Sequence, residues 1–232
     1  MIITIIDIIM NLYRIAGSMI CHQLPSRTLY VNELPLPLCA RDTGIYIGAF
    51  ISVSYIYLSK RKKADSPPGI KTTLVLCFLM LLMIIDGCTS YLGIRETNNI
   101  LRYYSGTFFG LSLPFFLIPA AYYNPAIKNT KKSMYSIYEI LILIVINFVV
   151  GYLLFEIKIL PWILPSTVTI ISLIYVIARI VFTVVVRAAA ARKPFTQILV
   201  AGGTVGVLFI LFCISNFLLQ PIKALLLNGV WR

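Results

Sequence analysis

Seven apolar runs separated by short polar intervals make up most of the chain, at about residues 2–20, 42–59, 72–93, 103–123, 137–155, 165–186 and 198–218. Each is close to the ~20 residues a helix needs to cross roughly 30 Å of hydrocarbon. In lipid a backbone has to satisfy its own polar groups, so the runs predict helices and not open strands. The intervals carry the helix breakers: Pro67-Pro68-Gly69 turns the chain after the second run, Asn124-Pro125 ends the fourth, and Pro161 and Pro165 flank the start of the sixth. Short intervals predict antiparallel neighbours. The expected fold is all-α, a multi-pass transmembrane bundle of about six to seven spanning helices forming a single integral membrane domain over residues 1–232.

Polar positions inside the runs refine this picture. Asp7, Asn11, Arg14 and Ser18 fall on one line of the first helix, and Cys21 and His22 continue it. Such a helix either lies in the interface or spans the bilayer with its polar line toward the bundle. The wide apolar sector favours spanning. A lone charge facing lipid would cost about 2.5–3.5 kcal/mol, so neither Asp7 nor Arg14 should face it. Asp86 interrupts the third run after twelve uncharged residues, Leu74 to Ile85. It reads either as a functional carboxylate or as half of a buried ion pair that fixes helix register. Small residues at helical spacing predict close helix contacts at Gly44 with Gly48, Gly106 with Gly110, and Ala201-Gly202-Gly203 with Gly206.

Composition sharpens the class. Of the 232 residues 59% are hydrophobic and 12% charged, with a mean hydropathy of +0.92; a soluble surface needs about 25% charge. The net charge of +12 does not indicate nucleic acid, because more than half of the basic residues sit in three short intervals. These are Lys60, Arg61, Lys62, Lys63 and Lys71; Lys128, Lys131 and Lys132; and Arg187, Arg192 and Lys193. They alternate with the other intervals as cytoplasmic loops do in a cell (plasma) membrane. Residues 21–41, 94–102 and 156–164 are then expected outside, with the N-terminus inside and the C-terminus outside. The start of the chain lacks the basic segment of a secretory signal, and bulky Ile20 makes a poor lipoprotein cleavage site, so the first run is expected to be kept.

The chemistry-bearing residues gather in the intervals expected outside. Cys21, His22, Cys39 and Asp42 offer thiolate, imidazole and carboxylate donors suited to a divalent metal ion such as zinc, although their spacing matches no known zinc motif. Cys21 and Cys39 suit a disulfide equally well in an oxidising exterior, or stand as unpaired thiols with other roles. Arg95, Asn98, Asn99 and Arg102 at i, i+3, i+4 and i+7 predict a helix face that clamps a lipid headgroup or other small anion, or a solvated face with snorkelling arginines. Cys77 and Cys213 read as core residues.

Three ordered blocks resemble a known family of membrane proteins, domain of unknown function 2085. They are Cys21-His22-Gln23-Leu24-Pro25-Ser26-Arg27, the stretch from Leu36 through Cys39-Ala40-Arg41-Asp42 to Gly48, and Asp86-Gly87-Cys88-Thr89-Ser90 with Arg95 to Gly106. The likeness covers roughly residues 20–110. Where that family's pattern has Cys-x-x-Cys this chain has Asp42 as the fourth residue, which disfavours a dithiol mechanism more than a metal site. Ser90 and Ser105 stand where the pattern carries an amide residue and a threonine. The family name implies no activity.

The functional expectation is an outward-facing polar site with Cys21, His22, Cys39 and Asp42 on a metal and Asp86 and His22 as acid–base groups or, for Asp86, a counter-ion. Arg95, Asn98, Asn99 and Arg102 would hold an anionic or amphipathic ligand. A metal-assisted membrane enzyme fits these groups. The alternatives are a transporter or substrate-capture subunit, suggested by the intramembrane charges, and a membrane thiol–disulfide oxidoreductase working through Cys21 and Cys39.

Overall fold

The structure, a computed structural model, describes residues 2–126, 128–157, 161–188 and 193–219. Within them the apolar runs form seven helices: α1 (Ile2–Ser18), α2 (Ala40–Leu58), α3 (Ile70–Tyr91), α4 (Asn99–Tyr122), α5 (Ile137–Tyr152), α6 (Ile163–Ala188) and α7 (Lys193–Cys213). Wider-turn helix continues α5 to Ile157 and α7 to Leu219. Stretches of α3 to α7, five in all, are long and apolar enough to cross a membrane. The chain is an all-α multi-pass membrane protein.

Caps and proline gaps explain where the helices start and stop. The Asn98 side chain accepts from the Leu101 N–H at 2.8 Å and opens α4. Ser136 and Glu139 form a reciprocal capping box at the start of α5. Pro119 inside α4 has no N–H for the Phe115 carbonyl, and the Ser133 hydroxyl donates to that oxygen instead, at 2.8 Å. At the C-terminus of α4 the free Ala120 carbonyl accepts from Arg187 Nε and a terminal guanidinium nitrogen at 2.8 and 2.7 Å, a cation where the helix dipole favours one.

The closest packing is between α2 and α4. A methyl added at Gly44 would meet the Tyr103 carbonyl at 2.2 Å, and at Gly48 the Thr107 carbonyl at 2.3 Å. From the other side, Gly106 abuts the Arg41 carbonyl and Gly110 the Ile45 carbonyl, at 2.2 and 1.9 Å from the missing methyl. The two small-residue pairs thus serve one another, backbone against backbone. The third stripe behaves differently: only Gly203 meets a neighbour, Val181, while Gly202 and Gly206 face open space.

The two ends of the bundle are distinct. At one, Lys131 O accepts from the Asp65 and Ser66 N–H groups at 3.0 and 3.1 Å, and Arg61 pairs with Glu139 at 2.5 Å. Two basic intervals are therefore tied together there, and Arg187 joins them through α4; Arg192 lies outside the described residues. At the other end the intervals before α2, α4 and α6 meet. Asn99 of α4 donates to Ser26 O at 3.3 Å, and the Trp162 indole to Pro35 O at 2.9 Å.

That second end holds a feature the hydropathy pattern did not predict, an antiparallel hairpin of β1 (Thr28–Val31) and β2 (Leu34–Cys39). Its turn residues Asn32 and Glu33 have φ of 50° and 66°, both left-handed, as a tight two-residue hairpin requires. Leu29 and Val31 with Leu36 and Leu38 point inward and are buried; Pro35 is exposed and Pro37 buried, and both are tolerated because each strand of a two-stranded ladder is an edge.

The first helix also departs from expectation. Asp7, Asn11 and Arg14 are exposed and do not face the bundle. Its contact side is instead Tyr13, which bonds Thr167 at 2.8 Å and stacks on Trp162 at 5.9 Å, and Gly17, which lies against the Pro37 carbonyl. Glycine gives the nearest backbone approach, so that face wins the hairpin and the polar line is left beside it. Cys77 is exposed on α3 and Cys213 half-buried, so neither is a core residue.

Candidate functional site

The glycine contacts between α2 and α4 bring Arg41, at the start of α2, beside α3. Asp86 is 3% exposed and receives four donors. Arg41 and the Ser105 hydroxyl reach Oδ2, the latter at 3.3 Å, and Arg95 and the Thr97 hydroxyl reach Oδ1 at 2.8 and 3.0 Å. A carboxylate pinned by two guanidinium groups and two hydroxyls is an ionised structural hub, tying α2, α3, α4 and the 92–98 interval.

The expected helical face from Arg95 to Arg102 does not form. Gly93 turns the chain at φ 69°, Arg95 precedes the helix and is committed to Asp86, and Asn98 is spent on the α4 cap. Asn99 and Arg102 do share a helix, with Arg102 donating to Asn99 Oδ1 at 3.1 Å. Arg102 is half-buried, with Arg27, Arg41 and Asp86 as its charged neighbours. Arg27 lies over the Tyr91 ring at 5.4 Å. Arg41, Thr97 and Arg27 were not given a role from sequence, and Ser105 stood out only as a departure from the family pattern; Arg41 stood next to a chosen residue, and the Thr97 hydroxyl gave no signal.

A second cluster lies one residue further along. Cys39 is the residue before α2 and Asp42 is in its first turn, so both project to one side; the hairpin returns the chain to Cys21. One donor atom from each of Cys21, Cys39 and Asp42 lies within 4.8 Å of the others. Cys21 is buried, and its Sγ accepts from the Cys39 N–H at 3.1 Å and the Gln23 N–H at 3.5 Å. Cys39 Sγ donates to Asp42 Oδ2 at 3.1 Å. The hydrogen bond with Cys39, burial and the Asp42 charge push the Cys21 thiol well above its ordinary range. His22 is exposed and outside this trio. Both thiols are free.

Such a trio suits a soft or borderline cation. Zinc bonds thiolate sulfur near 2.3 Å, which puts tetrahedral ligand atoms about 3.5–4 Å apart. Backbone N–H groups aimed at a sulfur are the outer bonds that orient and temper a metal thiolate. The N-terminus of α2 adds its positive dipole end toward Cys39.

Both clusters fall inside the part of the chain that relatives share. A family described as "Predicted membrane protein (DUF2085)" matches residues 21–116, from the hairpin to most of α4. An uncharacterized protein of Methanothermobacter thermautotrophicus is 38% identical over 94 residues, 40% of this chain and 80% of that protein. Another, of Methanocaldococcus jannaschii, is 33% identical over 102 residues, 44% of this chain and 64% of that protein. No solved structure matches the chain. By the shared stretch, its blocks and its membrane helices, the chain belongs to the DUF2085 family of membrane proteins.

Proposed function

We propose that this protein binds one soft divalent cation, such as zinc, through Cys21, Cys39 and Asp42 at the hairpin end of the bundle, and that the cation takes an anionic ligand. The observation that carries this reading is the convergence of three donor atoms within 4.8 Å, with two backbone N–H groups on the buried Cys21 sulfur. Three protein ligands leave a fourth tetrahedral position for water or ligand, the arrangement of reactive rather than purely structural zinc. Arg102 and Arg27 supply the cationic wall for the anion, with Asn99 orienting Arg102. Asp86 acts as a counter-ion that holds Arg41 and Arg95 in place and not as a proton carrier, because its lone pairs are engaged. His22, exposed beside Cys21, stands where a proton donor or acceptor to the bound ligand would be useful.

The same reading places the hairpin end outside the plasma membrane. Basic intervals gather at the opposite end, and positive charge is retained on the cytoplasmic side.

Metal analysis of detergent-purified protein tests the proposal. The parent is expected to carry about one zinc per chain, and Cys39→Ser and Asp42→Ala only background; His22→Ala is expected to retain the metal. A metal-free parent, full occupancy in the Cys39 and Asp42 variants, or Cys21 and Cys39 recovered as a disulfide would refute it.

A further inference from the structure

Between them, α1 and β2 leave a cleft of about 210 Å³. Pro35 and Pro37 form one wall, Met10 and Trp162 line the interior, and Asn11 and Arg14 stand in it as polar groups. The cleft is preformed. The Trp162 indole is held by Pro35 O and stacked on Tyr13, while Gln23 Nε2 ties α1 to β2 through the Arg14 and Pro37 carbonyls at 2.7 and 2.8 Å. Proline walls and bonded side chains need little ordering when a ligand enters.

Two of its polar groups are unused. Neither the Arg14 guanidinium nor the Asn11 amide makes an ion pair or hydrogen bond with a described residue. Asp7, on the same line of α1, lies two turns away, about 10 Å along the axis. Next to that line Ile8, Leu12 and Ile15 are 55%, 59% and 50% exposed, the side of α1 available to acyl chains. An unpaired guanidinium is thus set at the mouth of a mostly apolar cleft that adjoins lipid. A free anion would gain nothing from the proline and tryptophan walls. An anion carrying an apolar chain gains from both. The volume is below the 300 Å³ or so typical of a drug-sized ligand, and suits a headgroup with its first few carbons.

We infer that the cleft between α1 and β2 binds the anionic head of an amphiphile, a phosphate or carboxylate on an apolar chain, through Arg14 and Asn11. None of its groups belongs to the Cys21, Cys39 and Asp42 set, so it stands or falls separately from the metal reading.

The chain has two tryptophans, so Trp231→Phe leaves Trp162 as a reporter within the cleft. The full-length protein in nonionic micelles is titrated with short-chain phosphatidic acid, with the neutral diacylglycerol of the same chains, and with inorganic phosphate. Trp162 emission is expected to change saturably with the phosphatidic acid alone. Arg14→Gln should weaken that response about tenfold or more, the scale of a lost charge-assisted hydrogen bond, with Arg14→Lys intermediate and Asn11→Ala milder. Both positions are exposed, so the unfolding midpoint should hold in all three variants. Equal binding by Arg14→Gln, or a non-saturating response to every probe, would overturn the site. Inorganic phosphate binding as tightly as the lipid would overturn the assignment to an amphiphile.

Discussion

Arg41 and Asp42 are neighbours in the first turn of α2, yet they serve clusters with opposite bonding. Arg41 feeds the Asp86 hub, where one carboxylate is met by two guanidinium groups and two hydroxyls and both carboxylate oxygens are taken. Asp42 belongs to a trio of two thiols and a carboxylate, in which the Cys39 thiol proton held on Asp42 is one a cation would displace. Burial alone does not separate them, since Asp86 and Cys21 are 3% and 5% exposed. What separates them is saturation. A carboxylate whose oxygens are all matched by charged and hydroxyl donors is holding the fold together, whereas donor atoms joined through a thiol proton are available for exchange.

This contrast breaks first at the hub. Asp86→Ala leaves Arg41 and Arg95 without a counter-charge and is expected to cost about 3–5 kcal/mol, the penalty for breaking a buried pair from one side; thermal unfolding in detergent measures it. A loss below ~1 kcal/mol would mean the arginines are solvated and the hub is not structural. Next comes Cys39→Ser, which should lower zinc affinity by more than about tenfold, over 1.4 kcal/mol of binding, in a competition titration against a chromophoric chelator. Asn98→Ala should cost about 1 kcal/mol, as lost helix caps do, and leave anion and metal binding unchanged; a binding defect with normal stability would restore Asn98 to the clamp. Asp42→Asn has the smallest effect on folding, within about 0.5 kcal/mol for the metal-free protein, because it removes a charge beside a thiol and breaks no ion pair.

Much of the fold was legible because hydrophobic run length is a direct consequence of the bilayer's thickness. The seven runs became seven helices, and Gly44, Gly48, Gly106 and Gly110 announced close contacts. Small residues do not say which helix they will meet, so the α2–α4 pairing became visible only in three dimensions. The hairpin stayed hidden for two reasons: Pro35 and Pro37 argue against a strand, and Asn32-Glu33 lacks the glycine that usually marks such a turn. Helical periodicity located the polar line of α1 but not the direction it faces, which Gly17 decides by its approach to Pro37. The line from Arg95 to Arg102 keeps a helical spacing but crosses the Asn98 cap, so only Asn99 and Arg102 share a helix. The residues converging at the hairpin end were readable as chemistry, since Cys, Asp and Arg are rare in this apolar chain. Their division into a saturated hub and an exchangeable trio was not, because saturation depends on partners such as Thr97 and the Gln23 backbone that sequence alone leaves anonymous.

The most direct test of the exchangeable trio is optical absorption of the purified protein loaded with cobalt(II) in place of zinc. Two thiolates in a tetrahedral site predict a near-ultraviolet sulfur-to-cobalt charge-transfer band together with strong visible ligand-field bands, the former diminished in Cys39→Ser and both retained in Ser105→Ala. A spectrum of weakly coloured six-coordinate cobalt, or a charge-transfer band unchanged after both Cys21 and Cys39 are replaced by serine, would contradict the assignment.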